Sequence, residues 1–447
     1  MKIHIHENCQ EAVNQQSIEL LSLVQSSMDQ PPPALPPEEN NRFFPVATFN
    51  RADMTNISEE IRIPGIGVAS RRKLVGNMWH GFDEVGYRSL RLLAEKIQKQ
   101  KDVKDKVSME ALTEVVLDWA VDRHLGRTDQ SLCQRVIEEF ESRIKPRWMW
   151  VTAFGIFCNI PFELGRTTIH HYSPEFFQKW ELVLQQRGRG EDATSQAQLR
   201  YLRPKLQGHC ACTMRIEAEP IRAKEIALEE AENALAMLRL YLPSIAHPLV
   251  PSYCKPRDAK DLETSTTLYI ENDEVLGYRD DNDDVQVWQF TEEQFREADS
   301  HGLGQLHRLY LQEKRSEFEE ELLKSLFTFS SSSIQKDASD RLVYVFRALD
   351  SFLLKDSIES IQQNIGDRIA FVVSKDATER KDIADQVKDV YALRSRFVHH
   401  NQSIKDIELI VKFLHTVMWF YDILLMRHKE FKTRQEFFAA IEALKYA

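Results

Sequence analysis

The sequence lacks the short motifs that mark several large enzyme classes. It contains no P-loop, no dinucleotide-binding glycine fingerprint, no Gly-x-Ser-x-Gly elbow and no His-Glu-x-x-His pair. Their absence removes the usual signatures of nucleotide hydrolysis, dinucleotide-dependent redox chemistry, serine hydrolysis and zinc proteolysis. We therefore expect neither an organic cofactor nor a bound metal ion.

An excess of positive charge is also missing. The 447 residues include 58 Lys and Arg against 69 Asp and Glu, which gives a net charge of −11. This excludes a protein that coats nucleic acid through bulk electrostatics, so any contact with RNA must be local. The six cysteines are scattered along a chain without a basic-then-apolar leader. We expect reduced thiols, no disulfides and a cytoplasmic location.

No apolar run is long and uncharged enough to predict a membrane span. The best candidate, Ile410 to Met426, carries Lys412, His415 and Asp422 and is shorter than a bilayer-spanning helix. We interpret it as a buried core helix and expect no membrane partner.

The chain is too long for a single hydrophobic core, so two or three domains are expected. Residues 1–41 end in a proline-rich stretch that favours an extended linker. Residues 42–300 mix strand and helix signals, which predicts an α+β domain of unknown family that senses a trigger or positions a substrate. Residues 303–447 predict a helical bundle. The expected fold class is mostly α, with an α+β domain before the bundle.

Strand and helix signals alternate through the middle of the chain. We predict one or two strands in 148–172, a helix capped by Ser173 with Pro174 in its first turn, a strand at 209–217, a helix from Pro220 to about Leu242, a hairpin of 266–272 with 284–290, and a capping box of Thr291 with Gln294.

After Gly302 the helical spacing of apolar residues continues without strand signals. The predicted elements are helices at 303–329, 339–355, 357–374, 377–399, 404–429 and 434–445, capping boxes at Ser403 with Asp406 and at Thr433 with Glu436, and a loop or hinge at Ser330–Ser333.

One segment of this bundle, YALRSRFVHHN at Tyr391–Asn401, carries two arginines and two histidines. The helix leading into it has an apolar stripe, and Arg394 lies on that stripe. A guanidinium there must meet a carboxylate, a carbonyl or an anionic ligand, because it stays charged and is costly to bury unpaired. His399 follows five residues later, about 140° around an ideal helix, so the two side chains converge only if the helix ends near Val398.

Arginine and histidine together suit the cleavage of RNA without a metal ion. The imidazole can remove or donate a proton near neutral pH. The guanidinium can hold the phosphate and stabilise the charge that builds on it while the neighbouring 2′-hydroxyl attacks.

The segment resembles the R-x4-6-H motif of the HEPN superfamily, helical-bundle proteins many of which are ribonucleases. The flanking stretches LVYVFRALDSFLL, GDRIAFVV and ERKDIADQVKDVYALRSRFVHH are similar to successive helices of the HEPN domains found in prokaryotic abortive-infection proteins, including the Apea-like group. The resemblance covers roughly residues 305–430.

This resemblance implies roles for individual residues. Arg394 and His399 would be catalytic, and Ser395 would occupy the polar position after the arginine, where proven nucleases more often have Asn, Asp or His. Asp350 would orient the arginine. HEPN nucleases generally dimerise so that two motifs face one cleft, which implies a homodimer acting on RNA, with tRNA as one candidate, in antiphage defence. Two further residues, Arg396 and His400, are predicted to touch phosphates.

Other interpretations stay open. Arg394 could form a buried ion pair with Asp350 while His399 caps the helix, which would make the domain a non-catalytic scaffold that binds RNA, a nucleotide or a protein. The stretch IPGIGVASRRKL at 63–74 is a glycine-rich turn before a basic surface or, less favoured, part of a helix-hairpin-helix. His209 and the two cysteines after it predict a strand rather than a metal site, since four ligands are needed.

Overall fold

The computed structural model describes residues 3–28, 58–64, 67–256, 265–271, 274–281, 287–355, 359–400 and 406–445. The chain is mostly helical and also contains several sheets. It divides into two compact units, the first formed by residues 1–147 with 215–226 and the second by residues 148–214 with 227–447. The predicted bundle, residues 303–447, lies wholly within the second unit, and its boundary near residue 300 stays a prediction.

The first unit packs a small sheet and several helices around one core. Its elements are α1 (Glu7–Leu21), β1 (Gln25–Met28), β2 (Ser58–Ile63), β3 (Gly67–Val75), β4 (Met78–Phe82), α2 (Glu84–Gln98), α3 (Lys101–Lys104), α4 (Met109–His124) and α5 (Leu132–Arg143). The antiparallel sheet has the order β1-β4-β3-β2. Phe82, Leu90, Trp119 and Phe140 are among the buried core residues.

The helix-hairpin-helix interpretation of residues 63–74 is wrong, because residues 67–75 form strand β3. This strand pairs with β2 on one side and β4 on the other. Two of its three basic residues meet carboxylates within the unit: Arg71 binds Glu60, and Lys73 Nζ lies 2.6 Å from Asp118 Oδ1. Charges neutralised in this way are poorly placed to bind a phosphate.

The second unit contains a larger sheet followed by a run of helices. Including elements shared with the first unit, these are β5 (Lys145–Phe154), β6 (Ile156–Cys158), β7 (Phe162–Leu164), β8 (Thr167–His171), α6 (Pro174–Gln186), α7 (Ala193–Leu206), β9 (Cys210–Ala218), α8 (Pro220–Arg239), β10 (Lys255–Pro256), β11 (Ser265–Glu271), β12 (Glu274–Asp281), β13 (Trp288–Phe290), α9 (Glu292–Ser300), α10 (Leu303–Leu311), α11 (Glu317–Ser332), α12 (Ala338–Leu353), α13 (Ile361–Val373), α14 (Ala377–His400), α15 (Ile407–Arg427) and α16 (Arg434–Lys445).

Residues 148–172 contribute to four strands rather than the one or two predicted. Strands β5, β7 and β8 belong to a five-stranded sheet with the order β10-β5-β9-β8-β7, whereas β6 pairs with β13 in a separate two-stranded sheet. Gly155 separates β5 from β6 with a φ of 69°. A Cβ on this residue would lie 2.4 Å from the backbone carbon of Tyr253, so only glycine fits the turn. The strand predicted at 209–217 is confirmed as β9, and Ser173 caps α6 as expected.

The predicted hairpin is wrong in its second strand. Strand β11 pairs antiparallel with β12, whereas residues 288–290 form β13 and pair in parallel with β6. The first helix after it begins as predicted, since Thr291 and Gln294 form a capping box.

The helices after residue 302 follow the predicted order with three corrections. The first predicted helix is two helices, α10 and α11, because the chain leaves the helix after Leu311. The serines at 330–333 are not a loop: α11 continues to Ser332, and Ser330 Oγ accepts a 3.0 Å hydrogen bond from Nε of the buried Arg239. Asp406, rather than Ser403, is the N-cap of α15. Ser403 lies outside the described residues, while Thr433 caps α16 as predicted.

Among the described helices, α15 alone is long and apolar enough to suit a membrane span. This is weak evidence, because a core helix passes the same test, and Phe413, Leu414 and Val417 of α15 are fully buried. The interpretation as a core helix holds for that face. The opposite face is exposed: Trp419 and Met426 each keep 63% of their surface in solvent.

Helices α13 and α14 approach each other closely at one glycine. A Cβ added to Gly366 of α13 would lie 3.3 Å from both the Cα and the carbonyl oxygen of Ala384 in α14. Backbone atoms cannot swing away as a flexible side chain can. The glycine therefore fixes the depth at which α14 packs.

We predict that Gly366→Val destabilises the protein by about 2 kcal/mol, because the added methyl groups force α13 away from α14. The exposed Gln363→Val on the same helix is the matched control for the helix propensity of a β-branched residue. Urea unfolding of both variants measures the difference. Equal stability of the two would mean that the close approach is not a constraint.

Candidate functional site

The candidate site lies where α14 packs beside α12. Val387 and Val390 of α14 are fully buried, and Arg394 follows on the same face as a half-buried residue. Arg394 therefore lies on the apolar stripe predicted from the sequence, with its guanidinium at the edge of the hydrophobic core. Its position is set by the burial of the valines one and two turns before it.

Arg394 is held against an aromatic ring and lacks a complete set of hydrogen-bond partners. Its guanidinium carbon lies 5.7 Å from the ring centroid of Tyr391. That ring in turn packs edge-on against Phe346 of α12, with centroids 5.2 Å apart. The Nε atom of Arg394 is buried and has no hydrogen-bond partner. An unpaired donor of this kind is costly unless an acceptor arrives.

Asp350 on α12 faces the same charge. Burial raises the pKa of its carboxyl from 3.8 to about 6, and the positive charge of Arg394 works in the opposite direction. Its Oδ1 is also buried without a hydrogen-bond partner. The two side chains do not form an ion pair within 4.0 Å. The buried ion pair considered from the sequence is therefore absent, although Arg394 is close enough to act electrostatically on the Asp350 carboxyl.

His399 does not meet Arg394 in the way that the sequence analysis required. Helix α14 continues to His400 instead of ending near Val398, so both residues belong to one regular helix. Five residues of α-helix rotate the chain by about 140° beyond a full turn. His399 is exposed, whereas Arg394 turns towards the core. Within one chain the helix directs the two side chains to different faces.

The supporting residues are distributed along the same helix. Ser395 is half-buried and Arg396 is exposed, with its Nε donating a 3.4 Å hydrogen bond to the carbonyl oxygen of Ala392. His400 belongs to the helix, but its side chain lies outside the described part of the structure. Tyr391 was not assigned a role from the sequence. Its spacing of three residues before Arg394 was the available signal, because residues at i and i+3 are neighbours on a helix.

The other sequence candidates do not assemble into a site. Within the residues that the structure describes, no group of three or more His, Cys, Asp or Glu side chains could hold a metal ion. Cys210 instead lies beside Cys158, with the two sulfurs 3.3 Å apart, and the hydrogen bond between these thiols, followed by burial, raises the pKa of the Cys158 thiol. All six cysteines are free thiols.

We predict that Asp350→Asn removes a pH dependence of stability. A raised pKa in the folded state means that Asp350 stabilises the fold fully below its unfolded pKa of 3.8 and loses this contribution as pH rises through about 6. Relative to wild type, the variant should therefore gain about 2 kcal/mol between pH 4 and pH 8, after allowance for partial exposure.

Urea unfolding across this pH range measures the effect. Asp389→Asn is the control, since Asp389 is exposed on α14. A stability difference between Asp350→Asn and wild type that stays constant with pH would contradict the assignment.

Comparison with known proteins assigns the chain to no family. Neither a family model, nor a curated protein, nor a solved structure matches the chain. The resemblance to HEPN domains therefore stays a prediction from the sequence motif and its flanking segments, whereas the site is described from the packing of α12 against α14.

Proposed function

We propose that this protein is a cytoplasmic, metal-independent endoribonuclease of the HEPN type that acts as a homodimer. The observation that carries the proposal is the half-buried Arg394, whose Nε lacks a partner beside the Asp350 carboxyl. A phosphate oxygen would supply the missing acceptor. Because the net charge is −11, binding of RNA depends on such local groups rather than on bulk attraction.

The proposed chemistry divides between two side chains. Arg394 holds the phosphate and stabilises its developing negative charge, with Asp350 acting as a positioning residue. His399 moves a proton, either from the attacking 2′-hydroxyl or to the leaving 5′-oxygen. By the resemblance, Ser395 occupies the polar position after the arginine. Arg396 and His400, which have no fixed role in the family, are proposed to contact phosphates of the substrate.

Dimerisation would bring an arginine and a histidine together although α14 directs Arg394 and His399 of one chain to different faces. An exposed histidine and an inward-turned arginine on one helix cannot easily act on the same phosphate, but a second copy can bring its histidine to the first copy's arginine. An exposed apolar face is available for association, because Trp419 and Met426 lie seven residues apart on α15. By the resemblance, the biological setting is abortive infection, in which RNA damage stops phage propagation.

The alternative is a non-catalytic HEPN module that binds RNA, a nucleotide or a protein partner. The separation of Arg394 and His399 around a continuous helix favours it, as does serine at position 395. It predicts binding without cleavage, which distinguishes it directly from the nuclease.

Incubation with total RNA and with tRNA in EDTA tests the nuclease. Wild type should cleave, and Arg394→Ala and His399→Ala should each lower the rate by about 100-fold or more, because each removes a group that acts in the transition state. Arg347→Ala, exposed on α12, and His4→Ala, exposed in the first unit, are the matched controls. An inactive wild type that still binds RNA would support the binding module instead.

Mixing two inactive variants tests whether the site is shared between chains. In a heterodimer of Arg394→Ala with His399→Ala, one of the two shared sites keeps both functional residues. Random exchange of subunits should therefore restore about a quarter of wild-type activity. Sites contained within one chain would remain inactive in every mixture, and that result would refute the shared arrangement.

A further inference from the structure

A cavity of about 640 Å³ opens in the second unit, separate from the Arg394 site. Its walls come from the residues that follow α8, from β13 and from helices α9, α11 and α15. This volume lies within the range of pockets that enclose small organic ligands. Nothing in the proposed nuclease chemistry uses it.

The walls of the cavity are mainly apolar and aromatic. Trp288, Phe290, Phe329 and Tyr421 contribute rings, and aliphatic side chains that include four leucines add further apolar surface. Such walls favour a ligand with an apolar body, since its transfer from water is stabilised roughly in proportion to the area buried.

A few polar groups reach the same space. Asp422 of α15 lines the cavity, and burial raises the pKa of its carboxyl to about 6 while the positive charge of His301 opposes the rise. The hydroxyl of Tyr241 is close enough to Asp422 for the carboxylate to raise the pKa of the tyrosine further. Trp288 Nε1 is buried and has no hydrogen-bond partner. Asp422 and Tyr241 therefore make one part of the lining polar.

The charged side chains that line the cavity favour a positively charged ligand over a negatively charged one. Two carboxylates, Asp422 and Glu297, and three histidines, His247, His301 and His415, line the cavity, and none of its described lining residues is lysine or arginine, the side chains whose positive charge is permanent. A phosphate or carboxylate ligand would enter without a permanent positive partner, which is costly in an apolar site. A ligand cation would instead pair with Asp422 and gain from the aromatic faces.

We propose that this cavity binds a small organic amine, with its ammonium group paired to Asp422 and its apolar body among the aromatic side chains. The proposal does not depend on ribonuclease activity, because its test measures binding alone.

The full-length protein is titrated into monodansylcadaverine, a fluorescent primary amine, and in parallel into dansyl-6-aminohexanoic acid, which has a similar fluorophore and chain but a negative charge. The amine should show saturable binding with a blue-shifted emission and an affinity at least 10-fold higher than that of the acid. Equal affinities, or no saturable binding of the amine, would overturn the proposal.

Variants locate the bound amine. Asp422→Asn should weaken its binding by at least 10-fold, whereas Glu408→Gln, an exposed carboxylate on the same helix, should leave it unchanged. Met418→Trp, which enlarges a half-buried wall residue, should exclude both dyes. Circular dichroism checks that the variants fold. Undiminished amine binding by folded Asp422→Asn or Met418→Trp would place the dye elsewhere and refute the site, and the wild-type preference for amine over acid decides the case if neither variant folds.

Discussion

The candidate site depends on keeping a guanidinium at the margin of a hydrophobic core. Val387 and Val390 bury one face of α14, and Gly366 lets α13 approach that helix closely, so Arg394 cannot retreat fully into water. Burial also raises the pKa of the Asp350 carboxyl to about 6, so below that pH this carboxyl does not supply a negative charge to neutralise the arginine. The result is a cation with unused hydrogen-bonding capacity, a state that an anionic ligand stabilises more than water does.

Helix α15 connects this region to the rest of the second unit. Thr416 donates a 2.9 Å hydrogen bond to the side-chain oxygen of Gln386 on α14. Further along, Asp422 lines the proposed amine site, and Trp419 presents an apolar face to solvent. Helix α15 therefore contacts the motif-bearing helix α14, lines the cavity and exposes apolar side chains to solvent.

Much of the helical order was predictable from local signals. Apolar spacing located α12, α14 and α16 to within a few residues, and the caps at Thr291 and Thr433 were visible as short-range patterns. The secondary-structure predictions were wrong where contacts with residues distant in the sequence determine the local conformation. The serines at 330–332 remain helical because Ser330 bonds to the buried Arg239 and to the carbonyl oxygen of Ala236, neither of which is close in sequence. Strand pairing failed for the same reason, since β13 pairs with β6 rather than with its neighbour along the chain.

The sequence by itself determined the composition of the candidate site: an arginine on an apolar helical stripe, a histidine five residues later and a mostly helical C-terminal region. These are properties of residue spacing, which local geometry controls. Only the tertiary structure decided that Asp350 lies close enough to Arg394 to interact electrostatically without forming an ion pair. It also decided that α14 continues through His399 and that Asp422 lines an apolar cavity. Each of these depends on how helices pack, and packing is set by contacts between residues far apart in the chain.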